Sequence, residues 1–362
     1  MPEAMITMLY VGLLLVLCLL MGRIVSHCRI PKVTGYLLAG ILISPSALSF
    51  FFGALGENLY SSLNHLRFVS DLALGLIAFS IGGEFQSERF RKMGKTVLTI
   101  SLCETVLTFG IVFSALFFFT TNLPLSLCLG ILAIATAPAA TLLVLREYAS
   151  EGVVTNSLLI LTGLNNFICL VVFSLFLPTI STPPPGEASN PVNMIFLLSL
   201  GRVVTALMVG FMLGFLLSLF EKRITKPAER IVLIIATIIL GIGLSQMLEV
   251  SPLLVNLIAG ATVINLARNG GRLFEELRKI DLPLYAAFFA LSGANLHWEL
   301  LSMVGVVGVL YCVGRMAGKI LGVTIGAIKA RASYNLKKYG GCGLLYQAGV
   351  ALGLALMLEY RN

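Results

Sequence analysis

Ionisable side chains lie in the middle of two long apolar runs of this sequence. Glu104 lies about ten residues into the run 95–120, and Arg315 lies about fifteen residues into the run 300–328. A charge at the centre of a membrane helix costs roughly 2.5–3.5 kcal/mol on insertion scales for Asp, Lys or Arg, so it needs a partner or a role. Glu104 could carry a proton, but an ion pair with a basic residue of a neighbouring helix is the simpler interpretation. We expect Arg315 to be that partner and Lys319 to reach towards the lipid interface.

Polar and helix-breaking residues interrupt two further apolar runs. Residues 131–142 read ILAIATAPAATL, with Thr136 and Pro138 in the middle, and residues 340–353 read GGCGLLYQAGVALG, with Gln347 in the middle. Proline removes a backbone donor, and a glycine-rich polar patch loosens the helical hydrogen-bond ladder. Breaks at corresponding places in two halves of a chain indicate the substrate site of a secondary transporter. Either break alone would also fit a kinked structural helix.

Twelve apolar segments are long enough to be the helices that position these residues. Of the 362 residues, 58% are hydrophobic and 12% are charged, and the mean hydropathy is +0.97. So few charges exclude a soluble enzyme, a nucleic-acid-binding module and a disordered chain. We predict an all-α polytopic membrane protein, because a helix of roughly 20 apolar residues crosses a bilayer. The predicted spans are 5–27, 32–50, 66–84, 95–120, 123–146, 153–179, 192–220, 230–247, 251–267, 274–295, 300–328 and 340–360.

The basic residues predict the orientation of these spans. Twenty of the 25 lysines and arginines lie in alternate connecting segments, and the segments between them contain none. This positive-inside pattern places the N-terminus outside the cell. The formal net charge of +8 therefore reflects topology and does not indicate a nucleic-acid partner. The sequence has no phosphate-loop, nucleophile or metal-binding motif, so we expect neither an enzyme nor a bound cofactor.

Six segments carry a likeness to a known family. They read TAPAATLLVLREY at 136–148, VTNSLLILTGLNN at 154–166, SPLLVNLIAGATVIN at 251–265, FFALSGANLHWELL at 288–301, GRMAGKILG at 314–322 and GLLYQAGVALGLAL at 343–356. In these segments the chain resembles the bacterial cation:proton antiporters, the sodium/hydrogen exchanger family. The likeness runs in order from about residue 10 to the end of the sequence.

The resemblance implies two inverted repeats with two broken helices that cross near mid-membrane. The first broken helix would be 123–146, with Thr136 and Pro138 at the crossover. The second would be 340–360, around Gln347.

The resemblance also implies how the chain is divided. Residues 1–362 would form a single transmembrane transporter domain. Its scaffold helices, which form a homodimer in the family, would lie at about 5–84 and 192–267. Its mobile core helices would lie at about 95–179 and 300–360. A thirteenth span is expected to complete the second repeat, so we expect a further segment after Asn362.

One place departs from the family pattern. The family has a pair of acids, or Asn followed by Asp, where this chain has Asn165 and Asn166. Amides do not titrate near physiological pH, although their carbonyl oxygens can help to coordinate a cation. Glu104 is then the candidate for a displaced proton carrier. Arg315, which compensates the acidic pair in the family, would need Glu104, helix carbonyl ends or water as its partner.

We expect a secondary transporter that exchanges Na⁺ or K⁺ for H⁺ by alternating access in the bacterial inner membrane. The paired asparagines could impair that exchange. Two alternatives remain, namely a non-transporting scaffold or sensor with an antiporter fold, and an Asp-to-Asn variant of an ordinary antiporter trapped in one conformation. The residues expected to bind or move ions are Asn165, Asn166, Thr136, Pro138, Arg315, Gln347 and Glu104.

Overall fold

Helices make up the regular structure of the computed structural model. The structure describes residues 3–28, 30–44, 67–137, 141, 144–145, 148–180, 192–224, 226–294, 298–347, 351 and 354, and none of these lies in a strand. In chain order the described α-helices are α1 (Glu3–His27), α2 (Lys32–Leu42), α3 (Arg67–Gly82), α4 (Ser87–Thr120), α5 (Leu123–Ile134), α6 (Val153–Ile180), α7 (Val192–Glu221), α8 (Pro227–Met247), α9 (Pro252–Leu266), α10 (Gly270–Leu277), α11 (Asp281–Ala294), α12 (Trp298–Lys329) and α13 (Tyr334–Tyr339).

Helix length and composition support a membrane-spanning protein. Within the described ranges, five helices are long and apolar enough to cross a bilayer, and they lie in α4, α6, α7, α8 and α12. Other apolar helices, such as α2 and α5, are shorter. The count of twelve spans therefore stays a prediction. The continuous span predicted at 274–295 is wrong, because α10 ends at Leu277 and α11 begins at Asp281. Arg278, Lys279 and Ile280 separate the two helices, and Pro283 suits the first turn of a new helix.

The helices fall into two compact units. The first consists of Met1–Leu76 and Glu275–Gly305, and the second of Ile77–Phe274 and Val306–Asn362. In the first unit, α2 packs against α1 and α11. A Cβ atom on Gly40 would overlap the carbonyl oxygen of Ala290. Glycine lets the two backbones approach closely there, as is common between membrane helices.

In the second unit a row of glycines brings α12 against α4. Gly314, Gly318, Gly322 and Gly326 recur every four residues and therefore lie on one face of α12. A Cβ atom on Gly322 would lie 2.5 Å from Cα of Glu104, and one on Gly318 would lie 2.5 Å from Cα of Thr108. Lys319 lies between these two glycines in the sequence. The close approach of the two backbones therefore sets the level at which α12 side chains meet α4.

Helix α5 ends before the proline that the sequence analysis singled out. Its N-terminus is capped by Asn122, whose side chain accepts a hydrogen bond from the Leu125 N–H at 3.0 Å. Its C-terminus is followed by Ala135, whose ψ of 142° leaves the helical region. Residues 135–137 are not helical. Pro138 lies outside the described residues, but it has no N–H for the Ile134 carbonyl four residues earlier, and it disfavours a helical residue before it.

Candidate functional site

Side chains from other helices satisfy the carbonyl groups at the end of α5. Lys319 donates to the Ile134 carbonyl at 2.6 Å, and Arg315 donates to the Ala135 carbonyl at 2.9 Å. Gln347 donates to the Leu132 carbonyl at 2.9 Å. A helix end leaves such carbonyls without intrahelical partners, and burying them without donors would cost free energy. The break is therefore a polar centre within the second unit.

Glu104 forms its ion pair with Lys319. The Lys319 Nζ atom lies 2.6 Å from Glu104 Oε1, and both side chains are fully buried. The expectation that Arg315 pairs with Glu104 is wrong, and so is the expectation that Lys319 reaches the lipid interface. Lys319 also lies 3.2 Å from the Thr136 hydroxyl, so this ion pair touches the break. The reason is the close packing of α12 on α4 beside Gly318 and Gly322.

Arg315 lies one turn away from Lys319 and binds carbonyl groups of two chain segments. Besides the Ala135 carbonyl, its guanidinium donates to the carbonyls of Leu345 at 2.6 Å, Tyr346 at 3.3 Å and Leu344 at 3.4 Å. Helix carbonyl ends were one of the partners that the sequence allowed for it. The forked guanidinium, with five N–H donors, can reach several acceptors at once. Arg315 therefore ties the end of α5 to residues 344–346.

Asn166 pairs with both backbone groups of Thr136. Its Nδ2 donates to the Thr136 carbonyl at 2.8 Å, and its Oδ1 accepts from the Thr136 N–H at 3.1 Å. The backbone partners fix the orientation of the amide, because an N–H must face an oxygen and a carbonyl must face an N–H. We call this two-bond arrangement the Asn166 clamp. It replaces the backbone pairing that Thr136 loses where the helix stops.

Asn165 lies beside α4 and close to the level of Glu104. Its Oδ1 accepts a hydrogen bond from the Ser101 hydroxyl at 2.8 Å, and Ser101 lies one turn before Glu104 on α4. Glu104 Oε1 also accepts from the Thr108 hydroxyl at 2.9 Å. Among the described residues, neither Glu104 Oε2 nor Asn165 Nδ2 has a hydrogen-bond partner, and both are buried. Two buried polar atoms of this region thus have no hydrogen-bond partner within the described part of the chain.

Residues 345–347 are not helical either, and they contact the break in α5. The Ala137 N–H donates to the Tyr346 carbonyl at 2.9 Å. Gln347 lies 2.6 Å from the Tyr311 hydroxyl of α12, in addition to its bond to Leu132. The sequence predicted an α-helical span from residue 340, whereas the structure has a 3₁₀ turn at Cys342–Leu344. The two polar interruptions found in the sequence are therefore neighbours in space.

The structure brings most of the predicted site residues together and adds others. Sequence reasoning did not include Lys319, Ser101, Thr108 or Tyr311 among them. A signal for two of these was present, because Ser101, Glu104 and Thr108 are spaced by three and four residues and so share one face of an apolar helix. The predicted site residues that share this polar centre are Glu104, Thr136, Asn165, Asn166, Arg315 and Gln347.

Comparison with known families identifies the family of this chain. The family described as sodium/hydrogen exchanger, transmembrane, matches residues 12–361 of the chain. The chain belongs to the sodium/hydrogen exchanger family. Members of this family are multi-pass membrane transporters whose substrates are cations and protons, and they are not enzymes.

Similar proteins of known activity or structure cover nearly the whole chain. The ammonium/H⁺ antiporter subunit AmhT of Alkalihalophilus pseudofirmus is 24% identical over an alignment of 352 residues that covers 94% of this chain and 86% of AmhT. Two structures of the sodium proton antiporter MjNhaP1 from Methanocaldococcus jannaschii are 20% identical. The match to the structure at pH 8 has a TM-score of 0.72 and covers 99% of this chain and 87% of MjNhaP1. The match to the electron microscopy structure has a TM-score of 0.73 and covers 98% of this chain and 85% of MjNhaP1. At this identity the likeness establishes a shared fold.

Proposed function

We propose that this protein is a monovalent cation:proton antiporter in which cation and proton compete for the Glu104 carboxylate. The observation that carries the proposal is the fully buried pair of Glu104 and Lys319, in contact with the break in α5. A carboxylate can hold either a proton or a cation, and binding one releases the other. An amide such as Asn165 or Asn166 has no proton to exchange in the physiological range.

The surroundings of Glu104 suit such a competition. Lys319 neutralises the carboxylate when neither a proton nor a free cation is bound, so the charge is not left alone in an apolar region. Glu104 Oε2 has no described partner and can receive a proton or a cation. Asn165, whose amide lies beside Ser101 on the same face of α4, can supply a further polar ligand. Uptake of a proton converts the carboxylate into a neutral carboxylic acid, and the cation leaves.

The proposal includes the architecture expected of the family. Two broken helices, 123–146 and 340–360, would cross near mid-membrane, and the bond from the Ala137 N–H to the Tyr346 carbonyl supports this. About twelve spans would divide into scaffold helices at 5–84 and 192–267 and core helices at 95–179 and 300–360. We further propose a homodimer in the bacterial inner membrane with the N-terminus outside. Family membership supports this arrangement.

In this proposal the transported cation is Na⁺ or K⁺. NH₄⁺ is a third candidate, because the relative AmhT is named as a subunit of an ammonium/H⁺ antiporter. The name of MjNhaP1 favours sodium. These relatives are only 24% and 20% identical to this chain, so flux measurements must decide which cation is transported.

One observation favours a second candidate function, a membrane scaffold or sensor that does not transport. Asn166 occupies both backbone groups of Thr136, and Arg315 binds carbonyls of two chain segments, at Ala135 and at residues 344–346. Such a closed network would resist the movement that alternating access needs. A trapped Asp-to-Asn variant of an antiporter would have the same network.

Flux measurements in proteoliposomes test the proposal. The internal pH is followed with a dye while pulses of Na⁺, K⁺ or Li⁺ are added outside. Wild-type protein is expected to move protons in response to at least one cation, and Glu104→Gln is expected to abolish the response because the amide cannot titrate. Glu229→Gln is the matched control, since Glu229 is exposed and forms an ion pair with Lys226 at 3.7 Å.

The outcomes separate the candidates. Wild-type flux that survives in Glu104→Gln would rule out Glu104 as the exchanging group. Folded, inserted wild-type protein that responds to none of these three cations would exclude antiport of Na⁺, K⁺ or Li⁺ and would favour the scaffold, the sensor or the trapped variant.

A further inference from the structure

Asn265, close to the C-terminal end of α9, uses both ends of its amide. Its Nδ2 donates to the Phe85 carbonyl at 2.8 Å and to the Ala261 carbonyl of its own helix at 2.7 Å. Its Oδ1 accepts from the Ser87 N–H at 2.8 Å. Both N–H donors and the oxygen of the amide are therefore occupied. We call the bonds from Asn265 to Phe85 and to Ser87 the Asn265 latch.

The Asn265 latch supplies a cap that the start of α4 lacks. Helix α4 begins at Ser87, and the side chain of the preceding residue, Gln86, makes no capping hydrogen bond. The N–H groups of a first helical turn have no partner within their own helix. Asparagine is among the side chains preferred for that role, and here it comes from a different helix. The end of α9 therefore holds the beginning of α4.

The helix before this connection is also attached to α9. A Cβ atom on Gly82, the last residue of α3, would overlap the carbonyl oxygen of Leu257. A Cβ atom on Gly260 of α9 would overlap the carbonyl oxygen of Phe79. If α3 shifted along α9, bulkier residues would replace these glycines at the points of closest approach. The connection of residues 83–86 is thus fixed to α9 at both of its ends.

The ring of Phe85 packs on α6. Its centroid lies 6.2 Å from that of Phe167, at an interplanar angle of 72°, which is a favourable edge-to-face arrangement. A Cβ atom on Gly163 would lie 3.4 Å from the same ring. Gly163 is three residues before Asn166 on α6. Phe85 therefore joins α9, through its carbonyl, to α6, through its ring.

Beyond its first turn, α4 packs against other helices. It contacts α5, α6 and α12. Among the described residues, the hydrogen bond at Ser87 is the only one between α4 and α9. Glu104 lies 17 residues after Ser87, which is roughly 26 Å along a helix with a rise of about 1.5 Å per residue. One end of α4 is bonded to α9, and Glu104 lies far from that end.

We propose that Asn265 is a positioning residue for transport. It holds the first turn of α4 on α9, and α4 turns about this end when it carries Glu104 between the two sides of the membrane. This inference rests on the proposed function, which places α9 in the scaffold and most of α4 in the core. It adds the point about which the core turns.

A reversible cross-link tests the pivot. Ser87→Cys and Asn265→Cys are introduced together into a cysteine-free protein, and proton flux is measured in proteoliposomes before and after treatment with a short thiol cross-linker. The untreated protein lacks the Asn265 latch and is expected to be slow. Cross-linking is expected to restore the rate towards that of the cysteine-free parent, because a pivot needs its two sides held together. Reduction of the cross-link is expected to reverse the gain.

A single substitution separates this role from cation binding. Asn265→Ala is expected to lower the maximal flux about fivefold, the factor that corresponds to a lost helix cap. The cation concentration at half-maximal flux is expected to stay the same, because the contacts of Glu104 are unchanged. Thr262→Val is the matched control on α9. It removes a hydroxyl that bonds to the Ile258 carbonyl of the same helix, and it is expected to behave like wild type.

A second measurement does not depend on transport. Spin labels are placed near the Asn265 latch, at Glu88 and Arg268, and at the opposite ends of the helices, at Thr121 and Met247, all of which are exposed. Electron paramagnetic resonance then gives the distances in lipid as the pH and the cation are varied. The first distance is expected to stay constant. The second is expected to change, because the far end of α4 moves.

Each outcome decides the inference separately from the proposed function. A cross-link that blocks flux, or an Asn265→Ala protein as fast as Thr262→Val, would overturn the pivot. A change in the Glu88–Arg268 distance as large as that between Thr121 and Met247 would do so as well. If wild-type protein moves no protons, the proposed function fails and the distances still decide. A constant first distance with a variable second one supports the pivot, and two constant distances reject it.

Discussion

At the scale of single residues, Asn166 uses the two ends of its amide in different ways. One end donates to the Thr136 carbonyl and the other accepts from the Thr136 N–H. An aspartate has two acceptors and no N–H when it is ionised. An aspartate at position 166 could still accept from the Thr136 N–H, but its other oxygen would face the carbonyl oxygen of Thr136. The amide is therefore suited to this backbone contact in a way that the usual acid is not.

We predict that Asn166→Asp lowers the stability of the protein and does not restore the activity expected of an acidic pair. Losing one buried bond and leaving a carbonyl without its donor costs about 1–3 kcal/mol. Thermal unfolding in detergent measures the loss. Asn156→Asp is the matched control, because Asn156 is exposed on the same helix α6, and its midpoint is expected to stay close to that of wild type. An unchanged midpoint with newly gained cation flux in Asn166→Asp would contradict the clamp and favour a trapped variant.

At the scale of helices, the row of glycines on α12 decides which side chains meet. Gly318 and Gly322 allow the backbone of α12 to approach the backbone of α4 at Thr108 and Glu104. Lys319 is placed against Glu104 as a consequence. A membrane offers little hydrophobic driving force between helices, so such close packing and buried polar contacts supply much of their association.

Gly322→Ala is predicted to separate the two helices and weaken the Glu104–Lys319 pair. The new Cβ would lie 2.5 Å from a backbone atom of Glu104, which cannot turn away as a flexible side chain can. Overpacking of this kind costs roughly 1–3 kcal/mol, so both the unfolding midpoint and the cation-dependent flux are expected to fall. Gly110→Ala is the control, because a Cβ on Gly110 of α4 meets nothing within 4 Å. A Gly322→Ala protein as stable and active as Gly110→Ala would contradict the importance of this contact.

At the scale of the whole molecule, the distribution of basic residues predicts the topology. Cys28 lies in the first basic segment, which is predicted to face the cytoplasm, and it is exposed. Thr121 lies in a segment without basic residues, which is predicted to face outwards, and it is exposed as well. These two positions report on opposite sides of the membrane.

Cysteine labelling in intact cells checks this topology. In protein whose only cysteine is Cys28, an impermeant maleimide is expected to react only after the cells are permeabilised. In a cysteine-free protein carrying Thr121→Cys, the same reagent is expected to react from outside. The reverse pattern would invert the predicted orientation, and labelling of both positions from outside would contradict the alternation of the loops.

Several features of the fold could be predicted from the sequence, because they depend on local composition. Apolar length identified α6 and α7 to within a few residues. Thr136 and Pro138 indicated where α5 stops, since a proline cannot supply the N–H that a helix needs. Family resemblance placed the chain correctly in the sodium/hydrogen exchanger family. The burial of Glu104 in an apolar run also indicated that it needs a partner.

The identity of that partner was decided only by tertiary structure. Arg315 and Lys319 are four residues apart and so lie on the same face of α12, one turn apart, and the sequence does not tell which of the two turns lies beside Glu104. The register between α12 and α4 sets Lys319 against Glu104 and leaves Arg315 to the carbonyls of residues 344–346. In the same way, only the fold brings Asn166 to the backbone of Thr136, 30 residues away in sequence. The sequence alone determines which polar groups need a hydrogen-bond or ion-pair partner in an apolar region. The packing of one helix on another determines which groups become those partners.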